Sequence, residues 1–310
     1  MKGVNHSFGS APSGIMEPPE VLLPQPDIFA RRALRMRELA EQVPPLADFL
    51  SFMARMVQAQ QQVLDGREPA WRPTPGAFDV ALEHGMPPLS AASLRRDLDW
   101  RADLAALLDA LELHVAERQS PLLEALRAKT DDQLEELAEL ILELKPGTDA
   151  DRGLLPFVAA AMQVAWARLA LSLPRPPKRP TGAARSLCPC CGSQPVASVV
   201  HFERDRQGVR YLHCSLCETE WHLERVTCSV CHKSGQLHYF GLDEAEGKLA
   251  LPAQAEACKH CNSYLKIVPR EFNASAEPLA DDLASLALDL MLDEQGTYAR
   301  NGYNPLLIAG

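Results

Sequence analysis

Eight of the nine cysteines in this 310-residue chain form four Cys-x-x-Cys pairs, and all nine lie within about a quarter of its length. The pairs are Cys188/Cys191, Cys214/Cys217, Cys228/Cys231 and Cys258/Cys261. A two-residue gap lets both thiolates of a tight turn face one ion, while backbone N–H groups of that turn point at the sulfurs. Eight thiolates complete two tetrahedral sites, so the pattern predicts two bound metal ions per chain.

The residues after the pairs support this prediction. Gly192 directly follows the first pair and Asn262 the last, and both residue types tolerate the left-handed backbone conformation that a metal-binding turn requires there. We expect sequential sharing, in which the first two pairs hold one ion and the last two the other. Interleaved sharing, first with third and second with fourth, is the alternative.

The identity of the metal stays open at this point, because four thiolates suit either zinc or a single iron ion. Cys190 lies inside the first pair, and we predict an exposed thiol that is not a ligand, since no general base accompanies it in the sequence. A nucleophilic Cys190 is the alternative. The nearby histidines are predicted to be ordinary polar or outer-sphere residues: His201, His213, His222, His232, His238 and His260.

The segments between the pairs have the composition of β-strands. Residues 195–202 and 209–213 are predicted to form two arms of one ribbon, and residues 238–240 and 264–268 are also strand-like. Each predicted metal site therefore closes one β-ribbon.

The chain before the cysteines has helical periodicity. Apolar residues recur at spacings of three and four after Asp27, a predicted N-cap, and again after Thr130, whose side chain can form a capping box with Gln133. The very apolar segment 154–173 contains Pro156 and charged or polar residues, so a buried helix is predicted rather than a membrane span.

The C-terminal region is also predicted to be helical, because Leu279, Leu283, Leu286 and Leu290 are spaced four, three and four apart. Its acidic residues are predicted to form a solvated face, with a partner-binding surface as the alternative: Asp281, Asp282, Asp289, Asp293 and Glu294.

Together these patterns predict an α+β protein in which an N-terminal α-helical bundle precedes two zinc-ribbon-type modules of four cysteines each and a C-terminal helix. The predicted boundaries are an extended lead-in (1–26), a helical domain (27–173), a proline-rich basic linker (174–185), the first ribbon (186–226), the second ribbon (227–270), and a C-terminal helix and tail (271–310).

Charge limits the classes of partner. The net charge is −10, and residues 186–270 hold nine basic and nine acidic side chains, so nucleic acid and anionic membrane surfaces are disfavoured. The first twenty residues lack the features of a secretory signal, which predicts a cytoplasmic protein. We therefore expect no nucleic-acid partner and no stable membrane insertion.

Several stretches resemble one known family. Residues 213–231 (HCSLCETEWHLERVTCSVC) closely resemble the FdhE family of formate dehydrogenase accessory proteins, as do 188–198, 258–267, 280–290 and the Gly302-Tyr303-Asn304-Pro305 region. The resemblance is dense over the last 125 residues and looser over the helical part. It implies rubredoxin-like sites in which the eight paired cysteines hold two iron ions, with zinc as the alternative.

The resemblance also implies a function. Members help to mature respiratory formate dehydrogenases, binding the catalytic subunit in the cytoplasm before its export by the twin-arginine pathway, so the chain is expected to be a factor and not an enzyme. The alternatives are a zinc-ribbon module that binds nucleic acid or protein, a rubredoxin-like electron carrier, and a thiol oxidoreductase using Cys190. No phosphate loop, dinucleotide fingerprint or nucleophile elbow appears in the sequence.

Overall fold

The computed structural model describes residues 18–112, 120–145, 147–202, 206–242 and 251–307. Residues 1–17 of the predicted lead-in and residues 308–310 of the predicted tail lie outside this description. Within it, the chain is α+β, with helices first and then a sheet carrying two four-cysteine clusters, as the sequence predicted.

The N-terminal region is helical from its first long element onward. Its helices are α1 (Ile28–Gln42), α2 (Ala47–Gly66), α3 (Asp79–His84), α4 (Ala91–Leu94), α5 (Trp100–Glu112), α6 (Ser120–Arg127), α7 (Asp131–Leu142), α8 (Asp149–Arg152) and α9 (Leu155–Leu171). The capping box between Thr130 and Gln133 is present at the start of α7. Asp27 occupies the N-cap position of α1 without a capping hydrogen bond; its carboxylate lies 3.2 Å from Arg31 Nε instead.

Helix α9 is the centre of this bundle. It is apolar on nearly all sides and almost wholly buried, and it packs against α2, α5 and α7. A helix that is hydrophobic all round must be covered by protein on every side, which is why the shorter helices surround it. In the described part of the chain, every helix is too short or too polar to cross a membrane.

The second half contains one sheet and not two separate ribbons. The strands are β1 (Val21–Leu22), β2 (Pro195–His201), β3 (Val209–Cys214), β4 (Glu220–His222), β5 (Leu237–Phe240), β6 (Gln254–Cys258), β7 (Ser263–Pro269) and β8 (Ala299–Arg300). Their order is β1-β4-β3-β2-β7-β6-β5, with β8 also paired to β7. The parallel pairing of β2 with β7 joins the antiparallel strands of the two predicted ribbons.

Short segments from elsewhere in the chain complete this sheet. The predicted lead-in contributes β1, whose Val21 pairs with Trp221 of β4, so part of it has regular structure against expectation. Within the predicted linker, Arg179 and Arg185 both bind the carboxylate of Glu224. These contacts attach the connection between the helices and the sheet to β4 and its surroundings.

The C-terminal region differs from the prediction of one helix with a solvated acidic face. Two helices, α10 (Pro278–Ala284) and α11 (Leu286–Gln295), meet at Ser285, whose hydroxyl donates to the Asp281 carbonyl (2.7 Å). Helix α10 packs between α1 and strands β2 and β7. Leu290 of the predicted apolar stripe is exposed.

The predictions for Asp281 and Asp282 were therefore wrong. Both carboxylates are buried, because α10 is covered on both sides, and each is neutralised by basic side chains. Asp281 binds Arg35 of α1, while Asp282 binds Lys266 of β7 and Arg300 of β8. Neither residue belongs to a solvated or partner-binding surface.

Candidate metal centres

The eight paired cysteines form two groups of four sulfurs. Cys188, Cys191, Cys214 and Cys217 make the first group and Cys228, Cys231, Cys258 and Cys261 the second; within each, the Sγ atoms all lie within 4.8 Å of one another. The pairs are thus brought together sequentially, and the interleaved alternative does not match this arrangement.

The sulfur separations fit a tetrahedral ion. The Sγ atoms are 3.5 Å apart in Cys188/Cys217 and 3.4 Å apart in Cys191/Cys214, with 3.6 Å for Cys228/Cys261 and 3.7 Å for Cys231/Cys258. A tetrahedron with metal–sulfur bonds of about 2.3 Å has edges of about 3.8 Å, whereas a disulfide bond is about 2.05 Å. All eight cysteines are free, so the donor sets fit a metal ion and not a disulfide.

The four Cys-x-x-Cys pairs lie in four turns of similar backbone conformation. The residue directly after every pair has a positive φ: Gly192 (81°), Glu218 (64°), His232 (59°) and Asn262 (52°). The prediction for Gly192 and Asn262 is confirmed. Glu218 and His232 adopt the same conformation although their residue types gave little sign of it, which indicates that the turn geometry is imposed by the fold.

Backbone N–H groups of these turns point at the sulfurs. The amides of Cys190 and Val230 lie 3.4 Å from the Sγ atoms of Cys188 and Cys228, and the Leu216 amide lies 3.4 Å from Cys214 Sγ. Such contacts offset negative charge on a thiolate. Burial raises the pKa of the Cys188 and Cys214 thiols, which favours their protonated form. A cation bound by the first group would offset this effect and stabilise the thiolates.

The two groups differ in their access to solvent. All four cysteines of the first group are buried and belong to the main hydrophobic core beside the helical bundle. In the second group, Cys231 and Cys261 are partly exposed. The first group is therefore embedded where the helices meet the sheet, and the second lies near the protein surface.

Cys190 does not match its prediction of an exposed thiol. Its side chain is fully buried, and its carbonyl accepts a hydrogen bond of 2.8 Å from the Leu89 amide, which anchors the first turn to the helical region. The burial has a tertiary cause, because the segment that covers Cys190 lies about 100 residues earlier in the chain. Its Sγ is outside the first four-sulfur group.

A buried chain of charged side chains adjoins the first group. His213 Nε2 lies 2.8 Å from Glu218 Oε2 and His213 Nδ1 lies 3.2 Å from Glu220 Oε1, while His201 Nε2 lies 2.6 Å from Glu220 Oε2. Burial lowers the pKa of His213, but the carboxylates of Glu218 and Glu220 outweigh it and raise the pKa to about 9. The imidazole is therefore positively charged at neutral pH.

His213, Glu218 and Glu277 also form a third group whose ligand atoms are close enough to share a cation. The guanidinium of Arg32 already fills this role, since its Nη1 donates to Glu218 (3.0 Å) and its Nε to Glu277 (2.9 Å). Sequence reasoning missed this network. Arg32 is 186 residues from Glu218 and 245 from Glu277, so no local spacing could have revealed it.

Known proteins are similar to this chain in sequence and in fold. Models described as "FdhE, N-terminal", "FdhE, central domain" and "FdhE, C-terminal domain" match residues 18–183, 187–225 and 226–307. Protein FdhE of Escherichia coli strain K12 is 39% identical over 294 residues, which cover 94% of this chain and 92% of that protein. Protein FdhE homolog of Cronobacter sakazakii strain ATCC BAA-894 is 38% identical, with the same coverage.

A solved structure agrees with these matches. The crystal structure of the FdhE protein from Pseudomonas aeruginosa superposes with a TM-score of 0.83 at 38% identity, covering 94% of this chain and all of that chain. The resemblance inferred from the cysteine-containing motifs is confirmed. With three family models along its length and close relatives over nearly all of it, this chain belongs to the FdhE family.

Proposed function

We propose that this chain is a cytoplasmic accessory factor for the maturation of a respiratory formate dehydrogenase. It binds the catalytic subunit of that enzyme before export by the twin-arginine pathway, and it is not itself an enzyme. The observation that carries the proposal is the match to FdhE along the chain, combined with two four-sulfur groups of tetrahedral dimensions.

The metal ligands in this proposal are the eight paired cysteines, and the metal is iron in two rubredoxin-like sites. The near-tetrahedral sulfur separations and the backbone N–H groups directed at them support metal binding. The choice of iron over zinc rests on the family resemblance. When bound, an iron ion of this kind supplies one-electron chemistry, whereas zinc would supply only cross-linking of the turns.

The two sites are proposed to have different roles. The first group holds the sheet against the helical bundle and acts structurally, because its cysteines are in the main core. The second group has partly exposed sulfurs, which favour electron exchange with a partner. This exposure also makes a rubredoxin-like electron carrier the second candidate function.

Metal analysis and a visible spectrum on protein purified without oxygen test the metal assignment. About two irons per chain, with thiolate-to-iron absorption bands on oxidation, are expected from two four-cysteine sites. Colourless protein that contains only zinc would contradict the iron assignment and any electron-transfer role. Cyclic voltammetry tests the second candidate function, the rubredoxin-like electron carrier, since such a carrier must show a reversible one-electron couple.

Co-purification tests the partner. The tagged chain, expressed with the formate dehydrogenase catalytic subunit of the same organism, is expected to retain that subunit in the cytoplasmic fraction. A co-expressed unrelated twin-arginine substrate is the control. Equal retention of both proteins, or of neither, would contradict the proposed specificity.

A further inference from the structure

A side-chain hydroxyl lies against one sulfur of the first four-cysteine group. Thr219 Oγ1 is 3.3 Å from Cys217 Sγ, a distance at which oxygen and sulfur share a hydrogen bond. Thr219 is completely buried, so its hydroxyl cannot exchange this contact for one with bulk water. The contact differs from the backbone N–H groups directed at other sulfurs because it comes from a side chain, which a substitution can remove.

Thr219 occupies a position that recurs in all four cysteine turns. The residues two positions after the second cysteine of each pair are Ser193, Thr219, Lys233 and Ser263, and all four lie in the described part of the chain. The Ser263 hydroxyl donates to the carbonyl of Cys261 at 3.4 Å, whereas the Thr219 hydroxyl contacts a sulfur. The shared turn therefore does not by itself direct a hydroxyl at a ligand atom.

The backbone around Thr219 is fixed by contacts on both sides. Its carbonyl accepts a 2.9 Å hydrogen bond from the Cys214 amide, which closes the turn. The preceding residue, Glu218, is bound by Arg32, and the following residue, Glu220, is paired with a buried histidine. The fold thus holds the hydroxyl beside the sulfur, as a preorganised donor requires.

The protonation of the sulfur decides which of the two atoms donates. A cysteine thiol can donate its S–H to the hydroxyl oxygen, but a thiolate has no proton and can only accept. When Cys217 is a metal ligand, the Thr219 O–H is therefore the donor. Hydrogen bonds to a charged acceptor are roughly twice as strong as those between neutral groups, so the contact is stronger in the metal-loaded protein.

A second sulfur competes for this hydroxyl. The thiol of Cys190 also interacts with Thr219, but it lies outside the four-sulfur group. A thiol that binds no metal is a weak acceptor, while a ligand thiolate carries negative charge. With an ion in the first group, the Thr219 hydroxyl therefore donates to Cys217 and not to Cys190.

We propose that Thr219 is a positioning residue of the first metal site and acts through Cys217, whose thiolate its hydroxyl stabilises. Four thiolates around a divalent ion leave negative charge in the main hydrophobic core, where water cannot offset it. Hydrogen bonds to the ligand sulfurs and exposure to solvent both set the reduction potential of thiolate-bound iron. In this buried group the hydroxyl supplies part of the stabilisation that solvent supplies at Cys231 and Cys261.

The hydroxyl is expected to favour the ferrous state of an iron ion in the first site, because that state carries more negative charge for the hydrogen bond to offset. The choice of iron rests on the proposed function. The hydrogen bond itself does not, since any divalent ion bound to Cys217 keeps the sulfur as a thiolate. The test therefore uses cobalt as well as iron.

The test compares Thr219→Val with Thr219→Ser in the full-length chain loaded with cobalt(II). Valine keeps the branched shape and removes the hydroxyl, whereas serine keeps the hydroxyl and lacks the methyl group. Ser263→Ala is the matched control, since it removes a hydroxyl that occupies the equivalent position of the second site and contacts a carbonyl. Metal content and circular dichroism verify that each variant folds and binds two ions.

The sulfur-to-cobalt charge-transfer absorption is the first readout. Loss of a hydrogen bond raises the energy of the sulfur electrons, so Thr219→Val is expected to move the absorption of the first site to longer wavelength. Thr219→Ser and Ser263→Ala are expected to keep the wild-type spectrum. A change in packing alone would not separate the valine variant from the serine variant in this way.

A redox titration of iron-loaded protein is the second readout. One couple is expected to be lower in Thr219→Val than in wild type by about tenfold in the one-electron equilibrium constant, which is about 59 mV. The other couple is expected to stay at its wild-type potential. Wild-type protein that binds cobalt but takes up no iron would contradict the iron assignment in the proposed function, and the cobalt comparison would still decide the role of Thr219.

An unchanged cobalt spectrum in Thr219→Val, with both ions bound, would overturn the proposal. An equal shift in Thr219→Ser or in Ser263→Ala would also overturn it, because the effect would then not come from the Thr219 hydroxyl. If Thr219→Val does not bind two ions, Thr219→Ala replaces it. Loss of one ion from both of these variants but not from Thr219→Ser would support the proposal, and loss from the serine variant as well would overturn it.

Discussion

Arg35 of α1 and Asp281 of α10 form a buried, two-bond ion pair, with Nε–Oδ2 and Nη2–Oδ1 distances of 3.0 and 2.7 Å. The two residues are 246 positions apart, so the pair fastens the first long helix to the C-terminal region. Asp281 also accepts from the Glu277 amide at 2.7 Å, which fixes the start of α10.

Asp281→Ala is therefore expected to destabilise the fold, because it leaves the Arg35 guanidinium buried without its main counter-charge. The expected loss is about 3 to 5 kcal/mol in the free energy of unfolding, measured by urea denaturation. Asp293→Ala, an exposed aspartate on α11, is the control and should change stability by less than about 0.5 kcal/mol. Similar effects of the two substitutions would contradict the buried-pair account.

The difference in burial between the two sulfur groups predicts stepwise metal loss. A chelator should remove about one metal equivalent quickly, from the group containing the partly exposed Cys231 and Cys261, and the second only after partial unfolding. Release is followed with a metal-sensitive dye, and mass spectrometry of alkylated cysteines identifies the emptied site. Release of both equivalents at a single rate would show that burial does not control access.

Substitutions of Cys188 and Cys190 by alanine should have different effects on the number of metal ions bound per chain. Cys188→Ala is expected to reduce the content from about two ions per chain to about one, because three thiolates no longer close a tetrahedral site. Cys190→Ala is the matched control from the same turn and should keep both ions, since its Sγ lies outside the four-sulfur group. Loss of an ion in Cys190→Ala would make Cys190 a ligand after all.

The buried carboxylate of Asp282 is expected to make the stability of the fold depend on pH. Burial raises its pKa, but the positive charges of Arg300 and Lys266 outweigh this and hold the pKa below its usual value. A carboxyl with a lowered folded-state pKa stabilises the fold above its unfolded pKa of about 3.9, and this contribution is lost as the pH falls through the folded-state value.

The comparison of wild type with Asp282→Asn isolates this contribution, since both chains keep all eight paired cysteines. At pH 7 the variant should be less stable by about 3 kcal/mol, at the low end for a broken buried pair because Asp289 still contacts both bases. The difference should shrink as the pH is lowered below about 4. A difference that stays constant from pH 7 to pH 3 would contradict the assignment.

Much of the local structure could be predicted from sequence. The Cys-x-x-Cys spacing predicted the four turns that carry the two four-sulfur groups, and the composition around them located β2, β3, β5 and β7. The capping box at Thr130 and the burial of the segment that forms α9 were also predicted correctly. These features depend on residues within a few positions of one another, whose backbone geometry and apolar periodicity are already present in the chain.

Contacts between residues far apart in the sequence could not be predicted from local patterns. Cys190 is buried because the segment around Leu89 covers its turn, and Asp281 and Asp282 are buried because α10 lies between α1 and the sheet. An acidic residue in an amphipathic pattern is normally solvated. These two carboxylates can be buried because Arg35, Lys266 and Arg300, which come from distant segments, form ion pairs with them.

The sequence by itself thus predicted four Cys-x-x-Cys turns, sequential sharing as the expected arrangement of the pairs, and a helical region followed by strands, because spacing and composition are local properties of the chain. The tertiary structure decided that β2 and β7 pair in parallel to make one sheet, that one sulfur group is in the core and the other near the surface, and which charges neutralise one another. Those outcomes depend on contacts between residues up to about 250 positions apart, and burial and charge pairing across such separations are set only when the whole chain packs.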